Sequence, residues 1–157
     1  MADVFESFVI NVARAHKYIQ YIKKQETRVF GLKGFHVMCL YYLDKNPGGL
    51  TVTELSKKCC EDKAAVSRTL DSLVKSGYVV RQETISGTRR RQCVKLTPEG
   101  RHIAVKVVGV INDVTGLIND GMSDEENIQF YRTFAKINRR LANYCAGLGT
   151  VEKDALC

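Results

Sequence analysis

The stretch DKAAVSRTLDSLVKSGYVV, Asp62 to Val80, decides how the chain is read. Val66, Leu70, Leu73 and Val74 recur at helical spacing, which predicts a helix with one buried face. Its other face carries small residues and cations: Lys63, Ala64, Ala65, Ser67, Arg68 and Thr69. Asp62 is a good N-cap for this helix. Ser76-Gly77 stops it, and Tyr78-Val79-Val80 reads as the start of a strand.

Just upstream, Thr51-Val52-Thr53-Glu54 fits a capping box, in which the threonine hydroxyl and the glutamate carboxylate each take the other's backbone amide. A short helix through Lys58 follows, with Val52, Leu55 and Cys59 inward. The turn Cys60-Glu61 joins it to the quoted helix. Downstream, strands YVVRQ and QCVKL flank ETISGTRRR, with a tip near Ser86-Gly87. The order is helix, tight turn, helix, basic hairpin.

Outward from there the chain is helical. Val4, Phe5, Phe8, Val9, Val12, Ala15, Ile19 and Ile22 form one stripe. GFHVMCLYYLD is apolar almost all round and reads as a buried helix ended by Asn46-Pro47-Gly48-Gly49. Thr97-Pro98-Glu99 starts another helix, with Ile103, Val107, Val110, Val114 and Leu117 on one seam. Gly121 closes it. Ser123 and Glu126 form a second capping box for a last helix carrying Ile128, Tyr131, Phe134, Ile137, Leu141 and Tyr144. The expected class is mostly α with a small β wing.

The chain has 157 residues and a formal net charge of +7. Between Thr51 and Lys106 there are twelve Lys/Arg against six Asp/Glu, so nearly all the excess lies in the middle third. A concentrated excess is what a phosphate-backbone binder shows. A helix-turn-helix places its second helix in the DNA major groove. Ala64 and Ala65 allow close approach there, Arg68 suits a bidentate pair with guanine, and Ser67 and Thr69 suit a base or phosphate. Lys63 suits phosphate, and Thr53 completes the set. Arg89, Arg90 and Arg91 in the hairpin fit insertion into the minor groove.

The segment ELSKKCCEDKAAVSRTLDSLVKSGYVVR and the exit VKLTPEGR resemble the multiple-antibiotic-resistance regulator (MarR) family of winged helix-turn-helix transcription factors. The resemblance covers essentially the whole chain. It implies a homodimeric regulator, most often a repressor, that binds a pseudo-palindromic double-stranded DNA operator and is relieved by a small aromatic ligand or by oxidation. It further implies that Ser67 and Arg68 are the recognition-helix polar pair and Arg90 the wing arginine. Where the family usually braces that arginine with an aspartate two residues earlier, this chain has Thr88. Which of the three arginines enters the groove is therefore open. Cys60 stands at a turn position where the family commonly has glycine.

On this reading, residues 31–102 form the DNA-binding winged helix-turn-helix. Residues 1–30 and 103–148 form a helical dimerisation region, and 149–157 a flexible tail. His16, Tyr21 and Tyr42 are the candidates for an implied ligand cleft, and Cys60 is the candidate redox thiol, flanked by Lys57, Lys58 and Lys63. His36, near the start of its helix, is placed to touch backbone phosphate.

No phosphate loop, nucleophile elbow or HExxH appears, and the three histidines lie in separate helices, so no enzyme is expected. The six cysteines show no CxxC spacing, which argues against a metal site, and no cofactor is expected. Cysteines without an export signal point to the cytoplasm, and no run is apolar enough to span a membrane. The competing reading is a winged helix that binds a protein rather than DNA.

Overall fold

The computed structural model describes residues 2–86 and 89–148, apart from the side chains of residues 2, 84–86, 89 and 90. The expected tail, 149–157, lies outside the described residues, as does the hairpin tip at Gly87-Thr88. Eight elements follow in order: α1 (Ala2–Arg28), α2 (Gly34–Asp44), α3 (Val52–Cys59), α4 (Lys63–Lys75), β1 (Val79–Ser86), β2 (Arg89–Leu96), α5 (Pro98–Asn119) and α6 (Asp124–Gly147).

The buried apolar core runs from Leu32 to Val107. Leu40 and Leu43 of α2 lie at its centre, and Leu55, Val66, Leu70, Leu73, Val79, Val94 and Ala104 close around them. α2 is buried because it is apolar on nearly every side, as its sequence predicts. Strands β1 and β2 pair antiparallel from Val79 opposite Leu96 to Ser86 opposite Arg89. Leu50 adds a bridge to Val94, exchanging N–H···O bonds of 3.1 and 2.8 Å, so the α2–α3 loop is stitched to the wing's inner strand.

Three details differ from the sequence expectations. The first helix runs to Arg28, beyond the apolar stripe that ends at Ile22. The strands continue through most of ETISGTRRR, which is polar but for Ile85 and so carries no alternating signal. Val74 is exposed, because the buried face of α4 is completed by Val66, Leu70 and Leu73 alone.

The terminal helices contrast with this core. Thr27 is the one buried residue among the described side chains of α1, and α6 buries none. Along α5 the seam fades from buried Ile103 and Val107 to Leu117, which is 80% exposed. Among the described residues no helix is long and apolar enough to cross a membrane.

Candidate nucleic-acid interface

Local chemistry fixes the angle between α3 and α4. Thr51 Oγ1 accepts from the Glu54 amide (3.2 Å), and Glu54 Oε2 accepts from the Thr51 amide (2.8 Å), closing the capping box. At the other end of α3, Cys60 takes a left-handed conformation with φ 52°. Its N–H donates to Ser56 and Lys57 carbonyls, and the Glu61 N–H donates to Ser56 O (3.1 Å). Asp62 Oδ1 then accepts from the Ala65 amide (2.8 Å) and starts α4. This chain of caps turns the backbone between α3 and α4 within three residues, Cys60 to Asp62, and leaves the first turn of α4 at the surface.

Lys63, Ala64 and Arg68 are exposed there, while Ala65, Ser67 and Thr69 are half-buried; Thr53 is exposed on α3. Arg68 makes no ion pair among the described residues. Together with Lys33, Phe35, His36, Ala65, Thr69 and Ser72 it lines an open groove of about 250 Å³ between α4 and the start of α2.

Two ion pairs hold the wing against the helices. Arg81 Nη2 of β1 donates to Asp71 Oδ1 of α4 (2.7 Å), and Arg91 Nη2 of β2 donates to Glu54 Oε1 of α3 (2.9 Å). The Thr51 amide and hydroxyl, and then Arg91, hold the Glu54 carboxyl below its ordinary range. Arg91 is therefore tied to α3 while remaining half exposed. Arg90 and Arg89 lie on β2 opposite Ile85 and Ser86, with their side chains outside the described residues. At the wing's base, Thr97 Oγ1 donates to Gly77 O (2.7 Å) and accepts from the Gly100 amide (2.9 Å). The sequence reading assigned Glu54 only a cap. Its bond to Arg91, 37 residues away, has no local signal.

The other candidates are not brought together. A cavity of about 340 Å³ lies between α1, α2 and α5, lined by Ile19, Val37, Met38, Tyr41, Tyr42 and Val107 among others. Tyr42 lines it; His16 and Tyr21 do not. Ile19 and Ile22 occupy the face of α1 toward α2, which leaves Tyr21 on the exposed side and His16 a turn before the cavity begins. Cys60 is exposed beside half-buried Cys59, which contacts the buried Cys39 thiol. The Cys39 S–H donates to Cys59, so Cys59 loses its proton more readily and Cys39 holds its own.

A helix-turn-helix followed by a two-stranded wing, carried between long terminal helices, defines the class: a winged helix-turn-helix fold. Within that class, residues 30–91, from Phe30 just after α1 to the last wing arginine, match the model of the MarR family. Solved structures of the same fold agree along nearly the whole chain. A MarR-family regulator from Listeria monocytogenes complexed with a 26mer DNA superposes with a TM-score of 0.79 at 14% identity, over 92% of this chain and 95% of that one. The S. aureus MepR–DNA complex gives 0.74 at 21% identity over 86% and 95%. A MarR-family regulator from Silicibacter pomeroyi gives 0.71 at 23% identity over 91% and 94%.

Proposed function

We propose that this chain is a DNA-binding transcriptional regulator, acting in the cytoplasm as a homodimer that represses by occupying a pseudo-palindromic operator. The observation that carries the reading is the outer face of α4. It is small, cationic and held at the surface by caps on both sides, with Arg68 exposed and in no ion pair among the described residues. The Listeria and S. aureus relatives of this fold were solved with DNA, which supports the same use here.

Arg68 reads guanine, Ser67 and Thr69 bond to bases or phosphates, Ala64 and Ala65 meet thymine methyls, and Lys63 and Thr53 hold the backbone. The wing, residues 89–91, reaches the minor groove with Arg89 or Arg90, while Arg91 fixes the wing's angle through Glu54. Residues 31–102 are the DNA-binding unit and 1–30 with 103–148 the dimerising one. A small aromatic ligand in the cavity beside Tyr42 relieves repression by altering how α2 and α5 carry the winged helix.

Fluorescence anisotropy against the DNA upstream of the chain's own gene, across salt concentrations and with an unrelated duplex as control, tests this. Binding should be selective and fall steeply with salt. Arg68→Ala should lose roughly 1–3 kcal/mol of discrimination, about the value of one bidentate base contact. Equal, weak binding to both duplexes would overturn the reading and favour a protein partner for the winged helix.

A further inference from the structure

The groove between α2 and α4 has a composition that the base-reading face does not explain. Its lining brings Lys33, His36, Thr69 and Ser72 beside Arg68, with Phe35 as an apolar wall, and among the described residues no carboxylate lines it. Two cations, an imidazole and two hydroxyls without an acid suit an anion.

His36 makes the site more than a helix N-terminus. It is 95% buried, at 5% relative exposure, yet it lines the groove. The Lys33 N–H donates to His36 Nδ1 (3.2 Å), and the His36 N–H donates back to Lys33 O (2.9 Å). The first bond fixes the tautomer: with Nδ1 accepting, the proton of the neutral ring sits on Nε2. Burial, and then the Lys33 charge, favour that neutral form. Among the described residues Nε2–H is in no hydrogen bond, and it is not one of the side-chain atoms sealed from solvent. A donor locked in place by its own backbone, in an acid-free groove, is arranged for an acceptor from outside.

We propose that the start of α2 is a phosphate clamp: Lys33 and the Nε2–H of His36, with Thr69 and Ser72 opposite, hold one phosphate of the DNA backbone beside the major groove that α4 enters. The proposal rests on the DNA-binding reading above and deepens it. Phe35, 59% exposed at the same edge, lies against the sugar that follows. The first-turn amides of α2 add their partial positive charge. The clamp would set how deeply α4 sits, because it fixes the backbone on one flank of the groove while Arg68 reads the floor.

The test compares Lys33→Gln, His36→Asn and Arg68→Ala with the wild-type chain on the selected duplex and on an unrelated one, across salt. Asn at 36 keeps an acceptor near the Nδ1 position and removes the Nε2 donor; its Tm is recorded alongside. Lys33→Gln should weaken both duplexes by the same factor. It should also lower the slope of log K against log salt by about 0.9 per protomer, since one fewer counterion is released. His36→Asn should weaken both equally while leaving the slope unchanged, because a neutral donor releases no ion. Arg68→Ala should instead narrow the gap between the duplexes. Wild-type affinity and slope in both Lys33→Gln and His36→Asn, with Arg68→Ala still impaired, would overturn the clamp and leave DNA binding standing. A wild-type chain that binds no duplex would overturn both.

Discussion

Cys60 and Gly100 show how single backbone positions set the interface. Among the described non-glycine residues Cys60 alone has positive φ, and it stands in the turn between α3 and α4. A side chain in that region costs roughly 1–2 kcal/mol, partly offset because glycine is freer when unfolded. Cys60→Gly should therefore stabilise by about 0.5–1 kcal/mol, seen as a rise in Tm of roughly 1–4 °C. A fall would mean that the turn does not need the left-handed residue. Gly100 is the opposite case. A Cβ there would lie 1.8 Å from Tyr78 O, a backbone atom that cannot rotate away, and Tyr78 O already accepts from the Thr97 amide (3.0 Å). Gly100→Ala must push α5 off the base of the wing at a cost of about 3 kcal/mol. The Tm should drop by roughly 6–12 °C in differential scanning fluorimetry. An unchanged Tm would show that α5 does not seat there.

At the scale of elements, Glu54 joins three of them: the start of α3, the loop before it and, through Arg91, strand β2. Its folded-state pKa lies below 4.5, its ordinary value, so the stabilisation it gives is fully present above that pH. It is lost as pH falls through the lowered value. Glu54→Gln keeps an acceptor for the cap but loses the ion pair, so the loss at neutral pH should be small, about 0.2–1 kcal/mol for so exposed a pair. The difference from wild type should vanish in acid denaturation profiles below the carboxylate range. A constant difference at all pH values would mean that the ionised form is not what matters. The helices and their caps were legible in the sequence because capping is local: Thr51, Asp62, Thr97 and Ser123 each bond to an amide three residues on. The groove beside α4 and the brace on Arg91 were not, since they join residues far apart in the chain. The wing's length was hidden for another reason. A largely polar stretch such as ETISGTRRR has no apolar alternation to read.

For the whole molecule the deciding quantity is surface. A compact monomer of 17.6 kDa should expose about 7,900 Å², whereas this chain exposes 11440 Å². Obligate dimers remove roughly 1,000–2,500 Å² or more from each partner, so an interface of that kind accounts for part of the excess of about 3,500 Å². Its apolar part is concentrated at the ends of the chain: Phe5, Val9 and Val12 on α1, Leu117 and Ile118 on α5, and Ile128, Tyr131, Leu141 and Tyr144 on α6. None of these residues belongs to the core between Leu32 and Val107, so their substitution should leave the winged helix folded. The wild-type chain should sediment as a dimer at micromolar concentration. Leu117→Asp combined with Leu141→Asp should sediment as a monomer with the near-native far-ultraviolet dichroism of the helical chain. On DNA that monomer should bind a half-site and lose the roughly 10²–10⁴-fold gain from linking two reading heads. Its response to salt should fall by half, since each protomer carries its own phosphate contacts. A wild-type chain that sediments as a monomer would leave the apolar ends without an occupant and remove the basis for a two-fold operator.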